Sequence, residues 1–164
     1  MQIQVKVEDR EVREGLRELR RRGANLRPVM LEIGEIVRTS VERNFAAGGR
    51  PDRWEKSRRV KKEGGQTLSD TARLRRSFTV EAGNDRVAVG TNVIYAAIHH
   101  FGGKTPARVI TAKNGKALFW PGARHPVRSV NHPGSRIPAR PFLTAQDEDW
   151  PRIRTAIGRH LLER

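Results

Sequence analysis

The sequence predicts an α+β fold in which two N-terminal helices and a C-terminal helix pack on a small, mainly antiparallel sheet, with an extended hairpin and a proline-rich loop. Three observations predict it. Apolar residues recur at spacings of three and four over Leu26, Val29, Ile33, Val37, Val41 and Phe45, the stripe of a long helix. SFTVEA and RVAVGT alternate apolar and polar residues on either side of Gly83, Asn84 and Asp85, the composition of a hairpin turn. Trp150, Ile153, Ile157 and Leu161 repeat the helical spacing further on. A length of 164 residues predicts a single domain over 1–164 with one core.

Taken in order, residues 2–7 set Ile3, Val5 and Val7 against Gln2, Gln4 and Lys6, the pattern of a half-buried edge strand. From Asp9 the period becomes helical through Val12, Leu16 and Leu19, with Asp9 placed to cap and Gly23 to stop. Asn25 is the expected cap of the second helix, which carries Pro28 in its first turn, where a missing amide hydrogen breaks no bond, and runs to about Ala47. Gly34 beside its apolar stripe lowers helix propensity and marks a close crossing by another element. Residues 48–66 hold four glycines, a proline and a basic run without a period, which reads as a loop pinned by Trp54. Within that loop Arg58, Arg59, Lys61 and Lys62 are the candidates for contact with phosphate or an acidic partner. Thr67 to Arg76 is expected as a short helix capped by Ser69 or Asp70, with Leu74 inward.

The chain is organised around Val87 to Gly103. Val87 and Val89 share a strand face, Gly90 permits a bend, and Thr91 or Asn92 is placed to cap a short helix with Val93, Ile94, Ala97, Ile98 and Phe101 on its apolar face. Gly102 and Gly103 end that helix, and Tyr95 and His99 lie one turn apart, close enough to touch. A hairpin and proline-rich extension is expected over 104–136. RVITA and ALFW flank Lys113, Asn114, Gly115 and Lys116, an Asn-Gly turn signal, and 121–139 read as an extended loop. A helix from about Thr144 to Leu162 is expected to pack across the sheet or on the second helix.

The formal net charge of +15 calls for a polyanionic neighbour or acidic partners. With 5% aromatic and 36% hydrophobic residues, part of the surface is expected to be covered by other subunits. The absence of cysteine excludes disulfides, thiolate metal sites and cysteine nucleophiles. No apolar run approaches the roughly 20 residues of a membrane span, and MQIQVKVEDR lacks the apolar core of a signal peptide. His99 and His100 are adjacent and diverge on a helix, while His125 and His132 lie in the proline-rich loop away from acids. No HExxH, phosphate loop or nucleophile elbow occurs. The residues therefore predict no enzyme, no cofactor and no metal.

VGTNVIYAAIHHFGG and the later IPARPFL, with NLRPVM, Asn44-Phe45, PDRW and TLSDTARLRRSF before them, resemble the phage virion morphogenesis family of Mu-like tail-completion and head-tail joining proteins. The motifs lie in the same order over nearly the whole chain. The resemblance implies a structural phage or prophage protein acting in tail completion and head-tail joining as a ring of several copies. Its partners would be head-tail connector or tail-terminal proteins and further copies of itself, with nonspecific DNA contact and no membrane. It would be found in the host cytoplasm during assembly and in the virion at the head-tail junction. The resemblance also implies a fold-organising role for Tyr95, His99, Phe101 and Gly102 and an interface role for Arg140, Pro141 and Phe142. The plainer reading of Tyr95, Phe101 and Phe142 is packing within the chain. The alternative function is that of a sequence-nonspecific DNA-binding protein, which the charge supports without the resemblance.

Overall fold

A computed structural model describes residues 9–113 and 117–162. The expected edge strand at 2–7 and the centre of the expected Asn-Gly turn lie outside them. In chain order the elements are α1 (Arg10–Ala24), α2 (Arg27–Ala47), α3 (Arg58–Glu63), β1 (Phe78–Ala82), β2 (Val87–Thr91), α4 (Ala96–Phe101), β3 (Gly103–Lys104), β4 (Arg108–Thr111), β5 (Ser129–His132), β6 (Arg136–Ile137) and α5 (Asp149–Leu162). The fold is α+β, and among the described residues the strands form three two-stranded antiparallel sheets, β1–β2, β3–β6 and β4–β5. The chain groups into two compact units, Met1–Val93 with Phe142–Arg164, and Ile94–Pro141.

In the first unit α2 is the central helix. Val29 and Ile36 pack with Ile153 and Ala156 of α5, so the C-terminal helix lies on the long second helix. Between them on α2, Gly34 faces the β1–β2 hairpin, and a Cβ there would stand 2.8 Å from the Val87 Cγ2 and nearer still to the Val80 Cγ1. Only a residue without a side chain lets the helix approach so closely. The register pairs Phe78 with Thr91 and Val80 with Val89, placing the apolar residues on the helix side. Phe45 is fully buried and centres an aromatic cluster. Its ring lies 5.3 Å from Phe142, 5.5 Å from Trp54 and 6.0 Å from Phe78, centroid to centroid. Trp54 thus ties the segment after α2 to its own domain.

Several local expectations need correction. Asp9 does not cap α1 with its side chain. Its carboxylate accepts from the Arg13 Nε at 2.7 Å, an ion pair one turn along the helix. Asn25 is the C-cap of α1, and Leu26 takes the N-cap position of α2 without a side-chain bond of its own. The orphan amides are served by Asn84, from the turn between β1 and β2. Its Oδ1 accepts from the Leu26 and Arg27 amides at 2.7 and 3.1 Å, and its Nδ2 donates to the Ala24 carbonyl at 2.8 Å.

The 48–66 segment is not all loop. Ser57 caps α3, accepting from the Val60 amide, and a helix of six residues is too short to leave a period. Thr67 to Arg76 is not a helix. Leu68 and Ala72 take positive φ values of 62° and 57°, so the backbone reverses, although Leu74 is buried as expected. The C-terminal helix begins at Asp149 rather than Thr144, because Thr144 and Gln146 are bonded to Asn44.

In the second unit RVITA and ALFW do not pair with each other. Arg108–Thr111 pairs with Ser129–His132, and Leu118 bridges to Val127, so both strands of the expected hairpin find partners downstream. The stretch 121–139 therefore holds β5 and β6 rather than loop alone. Val93, before α4 and in the first unit, is buried, but Ile94 is 98% exposed and Phe101 76%, so most of the expected apolar face has no cover among the described residues.

Candidate interaction surfaces

Phe142 of IPARPFL is held by a polar network centred on the buried Asn44. Asn44, fully buried on α2, donates from Nδ2 to the carbonyls of Phe142 at 2.9 Å and Thr144 at 3.2 Å. Its Oδ1 accepts from the Arg50 Nε at 2.9 Å and the Gln146 Nε2 at 3.4 Å. Arg50 also donates to the Ser40 carbonyl and hydroxyl at 3.0 and 2.9 Å and pairs with Glu148. A buried carboxamide and a partly buried guanidinium keep their places when each donor and acceptor is matched, as most are here. Phe142 is 2% exposed, and Pro141 is on the surface beside it in sequence. Arg140, also of the expected interface set, is 5% exposed, and its amide donates to the His99 carbonyl at 2.9 Å.

His99 stands on α4. The Tyr95 and His99 rings meet edge to face with centroids 5.8 Å apart, the one-turn contact their spacing predicts. Burial, reinforced by the Arg140 charge, lowers the His99 pKa from 6.5, so the ring is neutral at pH 7. Burial lowers that of His100 as well. Gly102 ends the helix at φ 74°, with a would-be Cβ only 2.7 Å from the Ala139 amide nitrogen, so neither the conformation nor the space admits a side chain. Beyond it a shallow cleft of about 410 Å³ is lined by Phe101, Lys104, Arg136 and Ile137. Phe119 and Trp120 are exposed elsewhere in this unit.

The sequence model of the phage virion morphogenesis family matches residues 7–162. The chain belongs to that family. Among curated proteins it is similar to the Mu-like prophage FluMu G protein 2 of Haemophilus influenzae, with 37% identity over 140 residues, 84% of this chain and 81% of that one. No solved structure matches it.

In this member of the family, the four basic residues of the α3 region divide. Arg59 donates to the Gln66 carbonyl at 2.7 Å and lies 3.7 Å from Asp70, and Lys61 lies 3.5 Å from Glu55, while Arg58 and Lys62 are exposed. On α1, Val12, Leu16 and Leu19 are exposed and, with Leu161 and Leu162 of α5, line an apolar groove of about 550 Å³. Among the described residues no cluster of His, Asp and Glu is suited to hold a metal, and no helix is long and apolar enough to cross a membrane. Sequence reasoning missed Arg50 and the cap at Asn84, whose partners lie 6 to 98 and 57 to 60 residues away. The only signal for the network was the Asn44-Phe45 pair. It carried the family resemblance without revealing that one residue bonds what the other packs against.

Proposed function

We propose that this protein completes the phage tail and joins it to the head, as a structural component present in several copies around an axis. The observation that carries the reading, beside family membership, is the uncovered apolar surface of the second unit. A side chain as large as Phe101 left three-quarters exposed, with Ile94 fully so and Phe119 and Trp120 also at the surface, is the composition of a surface made to be buried by another subunit. A heterologous contact of one copy with the next closes into a ring when the rotation permits.

Deletion of the gene from its parent phage or prophage tests this by electron microscopy of induced lysates. The expected outcome is filled heads and finished tails that remain unjoined, with whole particles restored by the cloned gene. Intact particles without the gene would overturn it.

A further inference from the structure

More than half of the net charge sits in a stretch that holds no acid. Between Ile94 and Pro141 there are eight Lys and Arg and no Asp or Glu, whereas the other 116 residues hold 25 and 18. Lys104, Arg108, Lys113, Arg124, Arg128 and Arg136 are all exposed. None takes part in an ion pair among the described residues. The α3 cations differ, since two of them already have carboxylates.

Two features of the strands make this a surface for repeating anions. In β3–β6, Lys104 stands directly opposite Arg136. Like charges at a cross-strand position repel, and an anion between them relieves the repulsion. In β4–β5, Arg108 pairs with His132, and the ladder continues to the bond from the Ala112 amide to the Arg128 carbonyl at 2.8 Å. Strand alternation puts Arg108 and Arg128 on one face, four pair positions apart, a span of about 13 Å at about 3.3 Å per residue. The major groove of B-DNA is about 12 Å wide and admits a two-stranded ribbon. Val109, Thr111, Ser129 and Asn131 occupy the opposite face without charge.

We propose that the acid-free unit binds duplex DNA through its phosphates, with the β4–β5 ribbon and the Lys104–Arg136 pair as the contacting elements. The contacts position the duplex and read no sequence. An acidic protein surface would present carboxylates at fixed places. The scattered cations of an acid-free unit suit a polyelectrolyte better. The inference does not require the joining role, and it moves the DNA contact away from Arg58, Arg59, Lys61 and Lys62.

The test uses the full-length protein and a labelled duplex of about 30 bp, titrated by fluorescence anisotropy over about 50 to 400 mM KCl. The wild type is compared with R108Q/R128Q/R136Q and with R58Q/K61Q/K62Q, which lose equal charge. The wild type is expected to show a slope of log affinity against log salt of about −4 or steeper. The ribbon triple should lose about 2 to 3 units of slope and about a hundredfold in affinity near 150 mM, and the α3 triple less than about threefold. Thermal melts establish that both triples are folded, and the singles R108Q and R128Q, each expected to reduce the slope by about one, replace a triple that is not. Equal losses in both triples, no duplex binding by the wild type, or displacement of the duplex by poly-glutamate at equal charge concentration each overturn the proposal. The last result would point to an acidic protein partner. Complementation of the deleted gene is a separate readout, so failure here and failure of the joining role are distinguishable.

Discussion

The Asn44 carboxamide donates to the Phe142 carbonyl at 2.9 Å while the neighbouring Phe45 ring stacks on the Phe142 ring at 5.3 Å, so two consecutive residues of α2 grip one residue from the far end of the chain. Asn44 bonds the backbone and Phe45 packs the side chain. Asn44→Ala would leave the buried Phe142 carbonyl and the partly buried Arg50 guanidinium each short of a partner, and is expected to cost about 3 kcal/mol. Denaturant unfolding monitored by circular dichroism measures it, and a loss below about 0.5 kcal/mol would show that the network contributes little.

Phe142 and Phe101 should behave oppositely. Phe142→Ala removes a buried ring that packs on Phe45 and Phe78 and should cost about 3 to 5 kcal/mol, whereas Phe101→Ala removes an exposed ring and should change stability by less than about 0.5 kcal/mol. In complementation of the deleted gene, Phe101→Ala should still reduce the yield of whole particles. Full yield from a folded Phe101→Ala protein would mean that the ring faces no partner.

Asn84→Ala is expected to lower stability by about 1 kcal/mol, through lost capping of α2 from a site 57 residues distant in sequence. The same substitution at Asn25, the cap expected from the sequence, should have a smaller effect on α2. Equal melting temperatures for the two variants would contradict the assignment.

At Gly34 two effects compete. Alanine gains up to about 1 kcal/mol of helix propensity, but its methyl would meet Val80 and Val87 below van der Waals distance, and overpacking costs about 1 to 3 kcal/mol. The clash should win, so Gly34→Ala is expected to melt earlier than the wild type. A stabilised variant would mean that the hairpin can shift.

Acid should destabilise the protein partly through His99. Its folded pKa lies below 6.5, so near pH 6 the unfolded chain binds more protons than the folded one, and stability rises with pH through that window. Stability is therefore fully present above about pH 6.5 and is lost as pH falls through the folded pKa. His99→Gln should flatten the decline of melting temperature between about pH 7 and 5, leaving the share due to His100. A decline as steep as that of the wild type would remove His99 from the account.

The elements that were legible in the sequence are those whose evidence is periodic and local. The stripe from Leu26 to Phe45 foretold α2 to within a residue or two, and the SFTVEA and RVAVGT alternation foretold β1 and β2 in their correct pairing. Tyr95 and His99 were foreseen in contact because one turn of helix brings them together. The short helix α3 was hidden because six residues are too few to show a period. The reversal at Leu68 and Ala72 was hidden because neither residue type advertises a positive φ.

The sequence by itself determined the α+β class, the central helix, the first hairpin and the family, since each rests on residues whose spacing along the chain carries the physics. Only the tertiary structure decided that Arg108–Thr111 pairs with Ser129–His132, that Asn84 caps a helix it does not adjoin, and that Asn44 holds Phe142. Hydrogen bonds between distant segments are satisfied by proximity in the fold, and proximity of that kind leaves no periodic trace in the chain.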